Sequence, residues 1–291
     1  MGRIERRTTD PSRPTTPRPQ WADRAAPDRT LPYVVLYPAA GEPEPGEPEP
    51  GEPTAGEPDA PPSDDGPFPV VMWSHGMGSH GGERNDVLAR WASAGYVVVA
   101  PTFPLSSRAS DASDLPNQPL DVAFVLDQVR AANADPADPL RGLVRADCVA
   151  LAGHSMGGGT TLAATFDPRT ASIAPEAFVD VAGLMPDEAG GVSLDQAPPV
   201  PALVVHGGLD ATVPMRVGEE LVGRLHAPTW FLTFPAGDHN NLFVAPQVEL
   251  LDTTVTAFLD AQLKGSPGRL DALAASVDAS GMATLEALPA R

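Results

Sequence analysis

Apolar residues recur along this chain with two different spacings, which alternate from residue 68 to residue 263. Short unbroken apolar runs predict buried strands, and apolar residues three and four positions apart predict amphipathic helices. The predicted strands are Leu31–Tyr37, Phe68–Trp73, Tyr96–Ala100, Asp147–Ala152, Phe178–Val181, Ala202–Val205 and Trp230–Phe234. The predicted helices are Asn85–Ala94, Pro119–Ala132, Met156–Phe166, Pro214–Leu225 and Gln247–Leu263. This alternation predicts an α/β fold with a mostly parallel central sheet, flanked by helices on both faces.

The pattern divides the chain into three parts. Residues 1–30 are polar and rich in Pro and Arg, which predicts a poorly ordered N-terminal arm. Residues 31–264 form the predicted domain, with an acidic Pro/Gly-rich insertion at 41–65 that should be an extended, solvated loop. Residues 265–291 form a C-terminal tail. Its helical spacing between Leu270 and Val277 leaves open whether it packs on the domain or is loosely attached.

Charge and composition exclude several classes of function. The chain has 291 residues and a net charge of −19, and the insertion at 41–65 contributes many of its acidic residues and no basic ones. Such a balance disfavours nucleic-acid binding, which needs a basic surface. No apolar run is long enough to cross a membrane, and the Arg- and Pro-rich N-terminus has no apolar segment typical of a secretory signal, so we expect a cytoplasmic protein without membrane contact. We also expect a monomer. The single cysteine, Cys148, lies in an apolar run and is expected in a buried strand.

The strongest chemical signal is Gly153-His154-Ser155-Met156-Gly157, which follows a predicted strand and opens a predicted helix. A G-x-S-x-G sequence in this context holds a serine hydroxyl clear of the sheet on a sharp turn. The helix N-terminus offers free N–H groups to a developing oxyanion. We therefore expect Ser155 to be a catalytic nucleophile.

A serine nucleophile needs a general base, and His239 is the best candidate among six histidines. It follows the strand Trp230–Phe234, which the pattern predicts to be the last strand of the sheet. Three other histidines are expected to have no role as the base, either because they face the core or because they lie at an element end: His154, His206 and His226.

The base in turn needs a carboxylate that fixes its tautomer. Asp210 lies in the turn after the strand Ala202–Val205 and gives the chain order Ser, Asp, His. Asp238 is a rival by proximity, but neighbouring side chains on a loop point apart. Asp180, at the end of an earlier strand, is the better rival.

The loop after the strand Phe68–Trp73 is expected to supply the second half of an oxyanion hole. Its His75-Gly76 pair would place the backbone N–H of Met77 opposite that of Met156. Gly78 and His80, further along the same loop, are candidate substrate-binding residues at the mouth of the pocket. A solvated loop position is an equal alternative for His80.

Taken together, these residues resemble the α/β-hydrolase superfamily over Phe68 to Leu263. Within it, the chain is most similar to the group of cutinase-like polyesterases, chlorophyllases, dienelactone hydrolases and platelet-activating-factor acetylhydrolases. The resemblance rests on Gly66–Val71, Ser74–Gly76, Gly153–Gly158, Leu209–Pro214 and Asp238-His239. It implies a serine carboxylic ester hydrolase that uses no cofactor and no metal and acts on a small-molecule ester.

Departures from the family pattern also narrow the class of ester that this chain is expected to cleave. Polyesterases of this group carry an aromatic residue where this chain has Met77, and a tryptophan near the position of Ala182-Gly183-Leu184. They also have a C-terminal disulfide, and dienelactone hydrolases use a cysteine nucleophile. These departures favour short-acyl esters over cutinase-like polyesterase activity. An acyltransferase or thioesterase with the same triad, a peptidase and a catalytically silent binding scaffold are the alternatives.

Overall fold

A computed structural model of the chain describes residues 1–15, 27–40, 56–107, 111–185, 192–194 and 198–290. Most of the acidic insertion at 41–65 lies outside the described residues, as does part of the short rim expected between Gly183 and Pro199. The predictions for the parts outside the described residues stay predictions. Residues 56–65 of the insertion are described, and there Glu57–Pro58 pairs with Gly2 and Arg3 as a short strand and Ala60 is buried, so this part is not the solvated loop that the sequence predicts.

The described residues contain one sheet of ten strands. In chain order the strands are β1 Gly2–Asp10, β2 Arg29–Tyr37, β3 Glu57–Pro58, β4 Phe68–Ser74, β5 Val97–Pro101, β6 Val144–His154, β7 Ala177–Val181, β8 Ala202–Gly207, β9 Thr229–Phe234 and β10 Thr284–Leu288. Their order across the sheet is β10-β9-β8-β7-β6-β4-β5-β2-β1-β3. The six strands from β9 to β5 in this order are parallel, so their carboxyl ends share one edge.

Helices cover the sheet on both faces, as the sequence predicts. The helices are α1 Asn85–Ser93, α2 Gln118–Ala134, α3 Met156–Phe166, α4 Arg216–Arg224, α5 Gln247–Leu263 and α6 Gly268–Ala279. Alternate residues of each buried strand point to opposite faces. Val70 and Met72 of β4 therefore pack in the core under α2, α3 and α4. Val71 and Trp73 pack in the core under α1, α5 and α6. The predicted fold class is confirmed.

Strand β1 differs from the expected N-terminal arm. Gly2–Asp10 pairs antiparallel with β2 along its whole length and so extends the sheet. Ile4 is buried in the core, and the Arg6 guanidinium makes two hydrogen bonds to the Asp138 carboxylate, at 2.8 and 2.6 Å. Arginines are frequent in this segment, so the sequence lacks the apolar run of a typical strand, although alternate residues of β1 face the domain. The prediction of an arm over residues 1–30 is thus wrong for this strand.

The C-terminal tail also belongs to the domain. Leu270 and Val277 of α6 are buried against α5, and β10 pairs antiparallel with β9. The expectation that β9 is the last strand is therefore wrong. The β10 sequence is short and only Leu285 is buried, so it lacks the apolar run that identifies the inner strands.

Candidate active site

Ser155 lies on a sharp turn between β6 and α3, at the carboxyl edge of the parallel strands. Its backbone has φ +58° and ψ −125°, a left-handed conformation that is unusual for a residue with a side chain. The turn brings α3 so close to the neighbouring strand that a Cβ atom on Gly157 would lie 2.0 Å from the Ser74 carbonyl oxygen. A Cβ on Gly153 would lie 2.2 Å from the Gly157 carbonyl oxygen. Both glycines of the motif are required by this close approach.

The end of β7 and the segment that follows it bind the backbone N–H and the backbone carbonyl oxygen of Ser155. The Ser155 N–H donates to the Val181 carbonyl oxygen at 2.9 Å, and the Leu184 N–H donates to the Ser155 carbonyl oxygen at 3.2 Å. These two bonds hold the turn in a conformation that costs about 1–3 kcal/mol for such a backbone. The nucleophile candidate is therefore fixed by the sheet and by its neighbouring loop.

His239 lies between the other two predicted residues. Its Nδ1 is 2.7 Å from Asp210 Oδ2, and its Nε2 is 2.9 Å from Ser155 Oγ. Because a carboxylate only accepts, the proton of the neutral ring is on Nδ1, and Nε2 is free to accept from the serine hydroxyl. The structure thus places the candidate nucleophile and the candidate orienting carboxylate within hydrogen-bond distance of the candidate base.

Asp210 is buried in the turn after β8 and is well supplied with donors. Its Oδ1 accepts hydrogen bonds from the backbone N–H groups of Thr212 and Val213, both at 2.8 Å. Its other oxygen accepts from His239. Two main-chain donors on one oxygen hold the carboxylate in place and leave the second oxygen directed at the imidazole.

The two rival carboxylates lie elsewhere. Asp238 is exposed, and its Oδ1 accepts from the N–H groups of Asn240 and Asn241 at 2.9 and 2.8 Å. Asp180 is buried at the end of β7, with one weak donor, the Gly183 N–H at 3.3 Å from Oδ2. Burial raises the pKa of Asp180 to about 7. Neither side chain is hydrogen-bonded to His239 among the described contacts.

Three further histidines are buried around the triad, and each binds a loop of the site. The His75 Nδ1–H donates to the Gly76 carbonyl oxygen at 2.8 Å, and its Nε2 accepts from the Phe103 N–H. The His154 Nε2–H donates to the His239 carbonyl oxygen at 2.9 Å. The His206 Nε2–H donates to the Val213 carbonyl oxygen at 2.8 Å.

Burial keeps these three rings uncharged. It lowers the pKa of His75 to about 4 and that of His154 to about 3, and it lowers the pKa of His206 as well. The ring nitrogens of His154 and His206 that make these contacts face main-chain carbonyl groups, in keeping with the expectation that neither is the base. What the sequence misses is that His154 holds the main chain of the base itself, a contact 85 residues apart in the sequence.

The predicted oxyanion-hole residues flank Ser155. A Cβ on Gly76 would touch the Ser155 Cβ at 3.4 Å, so the loop after β4 lies directly against the nucleophile. Among the described residues, neither the Met77 nor the Met156 backbone N–H donates to a protein group within hydrogen-bond distance. Their role in binding an oxyanion stays a prediction.

Gly78 and His80 are placed differently from these two. The Gly78 N–H already donates to the Ser106 carbonyl oxygen at 2.7 Å. Both residues line a neighbouring cavity of about 430 Å³, next to β1 and β2, which shares Ser79 with the cavity at the triad. Their predicted contact with substrate stays a prediction.

The cavity at the triad has a volume of about 250 Å³ and is open to solvent. Its lining comes from the loops after β4, β6, β8 and β9: Trp73, His75, Gly76, Met77, Ser79, Glu83, Arg84, His154, Ser155, Thr212, His239 and Asn240. No sequence signal points to Arg84 or Asn240, because both are ordinary polar loop residues until the fold brings them together.

Within the described residues, no group of three or more potential metal ligands is arranged to hold an ion. None of the described helices has the length and apolar sequence needed to span a membrane.

Comparisons with known proteins agree with this architecture. The family model described as chlorophyllase matches residues 59–229, more than half of the chain. The matched stretch contains Ser155 and Asp210 and ends before His239, so the third residue rests on geometry. The structure of a ferulic acid esterase from Streptomyces cinnamoneus is similar, with a TM-score of 0.67 and 20% identity, over 91% of this chain and 90% of that chain. This likeness shows the fold. No curated protein sequence matches the chain.

Proposed function

The chain belongs to the chlorophyllase family and is a carboxylic ester hydrolase, and from this premise we propose that it cleaves short-acyl esters through Ser155, His239 and Asp210. The observation that carries the proposal is the pair of hydrogen bonds made by His239, at 2.7 Å to Asp210 and 2.9 Å to Ser155. These contacts match what two-step acyl transfer needs in its resting state.

In the first step the Ser155 hydroxyl oxygen attacks the ester carbonyl carbon while its proton moves to His239 Nε2. The carbonyl oxygen becomes an oxyanion, which the N–H groups of Met77 and Met156 would stabilise by roughly 3 kcal/mol each. When the tetrahedral intermediate collapses, the carbon–oxygen bond to the alcohol breaks and His239 returns the proton to the departing oxygen. Asp210 stabilises the charged imidazole throughout.

In the second step a water molecule takes the place of the alcohol. It gives a proton to His239 as its oxygen attacks the acyl carbon, and the same intermediate geometry recurs. Collapse breaks the bond to Ser155 Oγ, which regains its proton and releases the carboxylic acid. No external cofactor enters this balance of atoms.

The size of the cavity supports a small acyl group. A volume of about 250 Å³ is large enough for a short acyl chain and the atoms around the scissile bond. Met77 at the cavity wall supplies no aromatic surface on which a polyester ring could stack. We therefore favour short-acyl esters over polyesters as substrates.

The first test is hydrolysis of p-nitrophenyl esters from acetate to palmitate. We expect the highest kcat/KM at about two to four acyl carbons and a loss of at least about 10⁴-fold in Ser155→Ala. Ser79→Ala is a matched control, because it removes a serine hydroxyl from the wall of the same cavity and should keep most of the activity. A palmitate optimum would contradict the short-acyl assignment.

A second test does not depend on the choice of ester. An alkyl fluorophosphonate loses fluoride as its phosphorus forms a bond to an activated serine oxygen, and mass spectrometry of peptides locates the adduct. We expect one adduct, on Ser155, and none in His239→Ala. Absence of both labelling and ester hydrolysis in folded protein would favour a silent binding scaffold. Labelling together with faster transfer of the acyl group to an added alcohol or thiol than to water would favour an acyltransferase or a thioesterase.

A further inference from the structure

Arg84 is a half-buried cation in the wall of the cavity that holds the triad. It directly precedes α1, in the segment that connects the loop after β4 to that helix. Its guanidinium Nη2 donates to Asn240 Oδ1 at 3.2 Å, and its Cζ lies 4.3 Å from the centre of the Phe243 ring. Both contacts are with neutral groups, so neither compensates its charge.

Three other buried or partly buried arginines of this protein are paired with carboxylates. Arg6 is bound to Asp138, Arg13 to Asp10, and Arg29 to Asp121. By contrast, no carboxylate of the described residues lies within ion-pair distance of Arg84. Glu83 and Asp86 act on it only from a greater distance, and burial outweighs them and lowers the pKa of Arg84. A guanidinium that lines a cavity without a carboxylate partner has donors left with which to bind an anion.

The contacts of Arg84 place it on the side of the cavity where the alcohol leaves. Asn240 is the residue after His239, and the Phe243 ring packs against the His154 ring with centroids 4.9 Å apart. The His154 ring in turn packs on the His239 ring at 4.7 Å. Since His239 protonates the departing oxygen, a group near Arg84 belongs to the alcohol part of the ester.

We propose that Arg84 is a specificity-determining residue that binds a carboxylate on the alcohol part of the substrate. The inference rests on the proposed function, because it assigns the two sides of the cavity from the roles of Ser155 and His239. Guanidinium matches carboxylate geometry with two parallel hydrogen bonds, which favours this anion over a point-like one. Arg84 is the one lysine or arginine among the described residues that line this cavity.

A purely structural role for Arg84 makes a different prediction. If the side chain only holds the loop of His239 through Asn240 and Phe243, its removal would slow the hydrolysis of charged and neutral esters alike. If it binds the substrate, the loss is confined to the charged ester. The ratio of two kcat/KM values therefore separates the two roles.

The experiment compares 4-acetoxybenzoate with 4-acetoxybenzamide, which share the acetyl group and differ in the charge on the alcohol part. For Arg84→Met we expect a loss of about 10- to 100-fold in kcat/KM on the benzoate and less than about 3-fold on the benzamide. Arg84→Lys should fall between the wild type and this variant on the benzoate. Arg90→Gln is the matched control, because it removes an exposed arginine of α1 outside the cavity and should leave the ratio unchanged.

Glu83 sharpens the test from the opposite direction. It lines the same cavity, so Glu83→Gln should raise kcat/KM on the benzoate by about 3-fold and leave the benzamide unaffected. Equal losses on both esters in Arg84→Met would overturn the proposal. If Arg84→Met does not fold, the test is inhibition of the wild type by 4-hydroxybenzoate and by 4-hydroxybenzamide. Stronger inhibition by 4-hydroxybenzoate than by 4-hydroxybenzamide supports the proposal, and equal inhibition overturns it.

Failure of the proposed function would look different. A wild type that hydrolyses the benzamide but shows no preference for the benzoate refutes the role of Arg84 and leaves the esterase intact. A wild type that hydrolyses neither ester and is not labelled by the fluorophosphonate refutes the triad, and the inference falls with it.

Discussion

Two buried aspartates at the carboxyl edge of the sheet show how differently one fold can treat the same side chain. Asp210, after β8, has two main-chain N–H donors at 2.8 Å and the imidazole of His239 at 2.7 Å. Asp180, at the end of β7, has one donor at 3.3 Å, and its Oδ1 has no hydrogen-bond partner among the described residues. Burial with so few donors raises the pKa of Asp180.

This difference in hydrogen bonding is relevant to which aspartate orients the candidate base, His239. A carboxylate that orients a histidine must be charged at neutral pH and within reach of Nδ1, and Asp210 meets the second condition directly. Asp180 instead lies under α3, where Cβ atoms added to Gly158 or Gly183 would be 2.3 and 1.9 Å from its Oδ1. Asp180 therefore lies beneath the turn that carries Ser155, and it makes no hydrogen bond to His239 among the described contacts.

The largest expected effect separates the two residues by activity. Asp210→Asn should reduce kcat/KM on p-nitrophenyl acetate by about 10⁴-fold, because an amide no longer fixes the reactive tautomer of His239. Asp180→Asn resembles the protonated acid in shape and charge and should cost less than about 10-fold at pH 7. A larger loss in Asp180→Asn than in Asp210→Asn would reverse the assignment of the orienting residue.

The next effect is on stability as a function of pH. The pKa of Asp180 is raised to about 7 in the folded state, against about 3.9 in the unfolded chain. The folded state therefore binds the extra proton between these two values, and the stability of the wild type falls as pH rises through this window. The amide introduced by Asp180→Asn cannot ionise, so the variant is free of this loss.

Urea unfolding of the wild type and of Asp180→Asn at pH 5 and pH 8 measures the effect. We expect the free energy of unfolding of the variant, relative to the wild type, to increase by about 2–3 kcal/mol between the two pH values. Other titrating groups are common to both proteins and cancel in the comparison. A difference that does not change with pH would mean that Asp180 is ionised in the folded protein.

A smaller effect follows from packing around Asp180. Gly183→Ala would place a methyl group on the carboxylate and should lower the free energy of unfolding by about 2 kcal/mol. The Asp180→Ala background removes the obstructing atoms, so the same substitution should cost less there, as a double-mutant cycle measures. Gly223→Ala in α4 is the control. Its added Cβ meets no atom within 4 Å, and it should be neutral or stabilising.

The smallest expected effect concerns the third carboxylate near the base. Asp238 is exposed and accepts from the N–H groups of Asn240 and Asn241, and an asparagine oxygen can accept the same bonds. Asp238→Asn should therefore change kcat/KM on p-nitrophenyl acetate by less than about 3-fold. A loss near that of Asp210→Asn would instead make this neighbour of His239 its functional partner.

The sequence predicted the inner part of the fold better than its edges. The unbroken apolar runs of β4 to β9 are long enough to identify because both faces of each strand are buried. Strands β1 and β10 lie near the edges of the sheet, where alternate residues face solvent and can be charged. Arg3, Glu5 and Arg7 obscure the first of them. Hence the strands β1 and β10 were both missed for the same physical reason.

The candidate triad was predictable because each member follows a strand in a short motif with its own chemical meaning. The supporting contacts were not predictable, because they join residues with no motif of their own. His154 reaches the main chain of His239, and Arg84 reaches Asn240, across 85 and 156 positions of sequence. Such pairs become neighbours only through the order of the strands, which the pattern of apolar residues does not specify.

The backbone of Ser155 has a φ of +58°, which lowers stability at the same residue that we propose as the nucleophile. Glycine would occupy that conformation at lower cost, since it has no Cβ to strain. On the proposed role of Ser155, selection for thermal resistance alone would therefore favour loss of the hydroxyl, and selection for turnover would keep it. A library of random variants screened for heat tolerance should become rich in inactive proteins at this site, so any effort to make the protein more robust has to screen for hydrolysis at the same time.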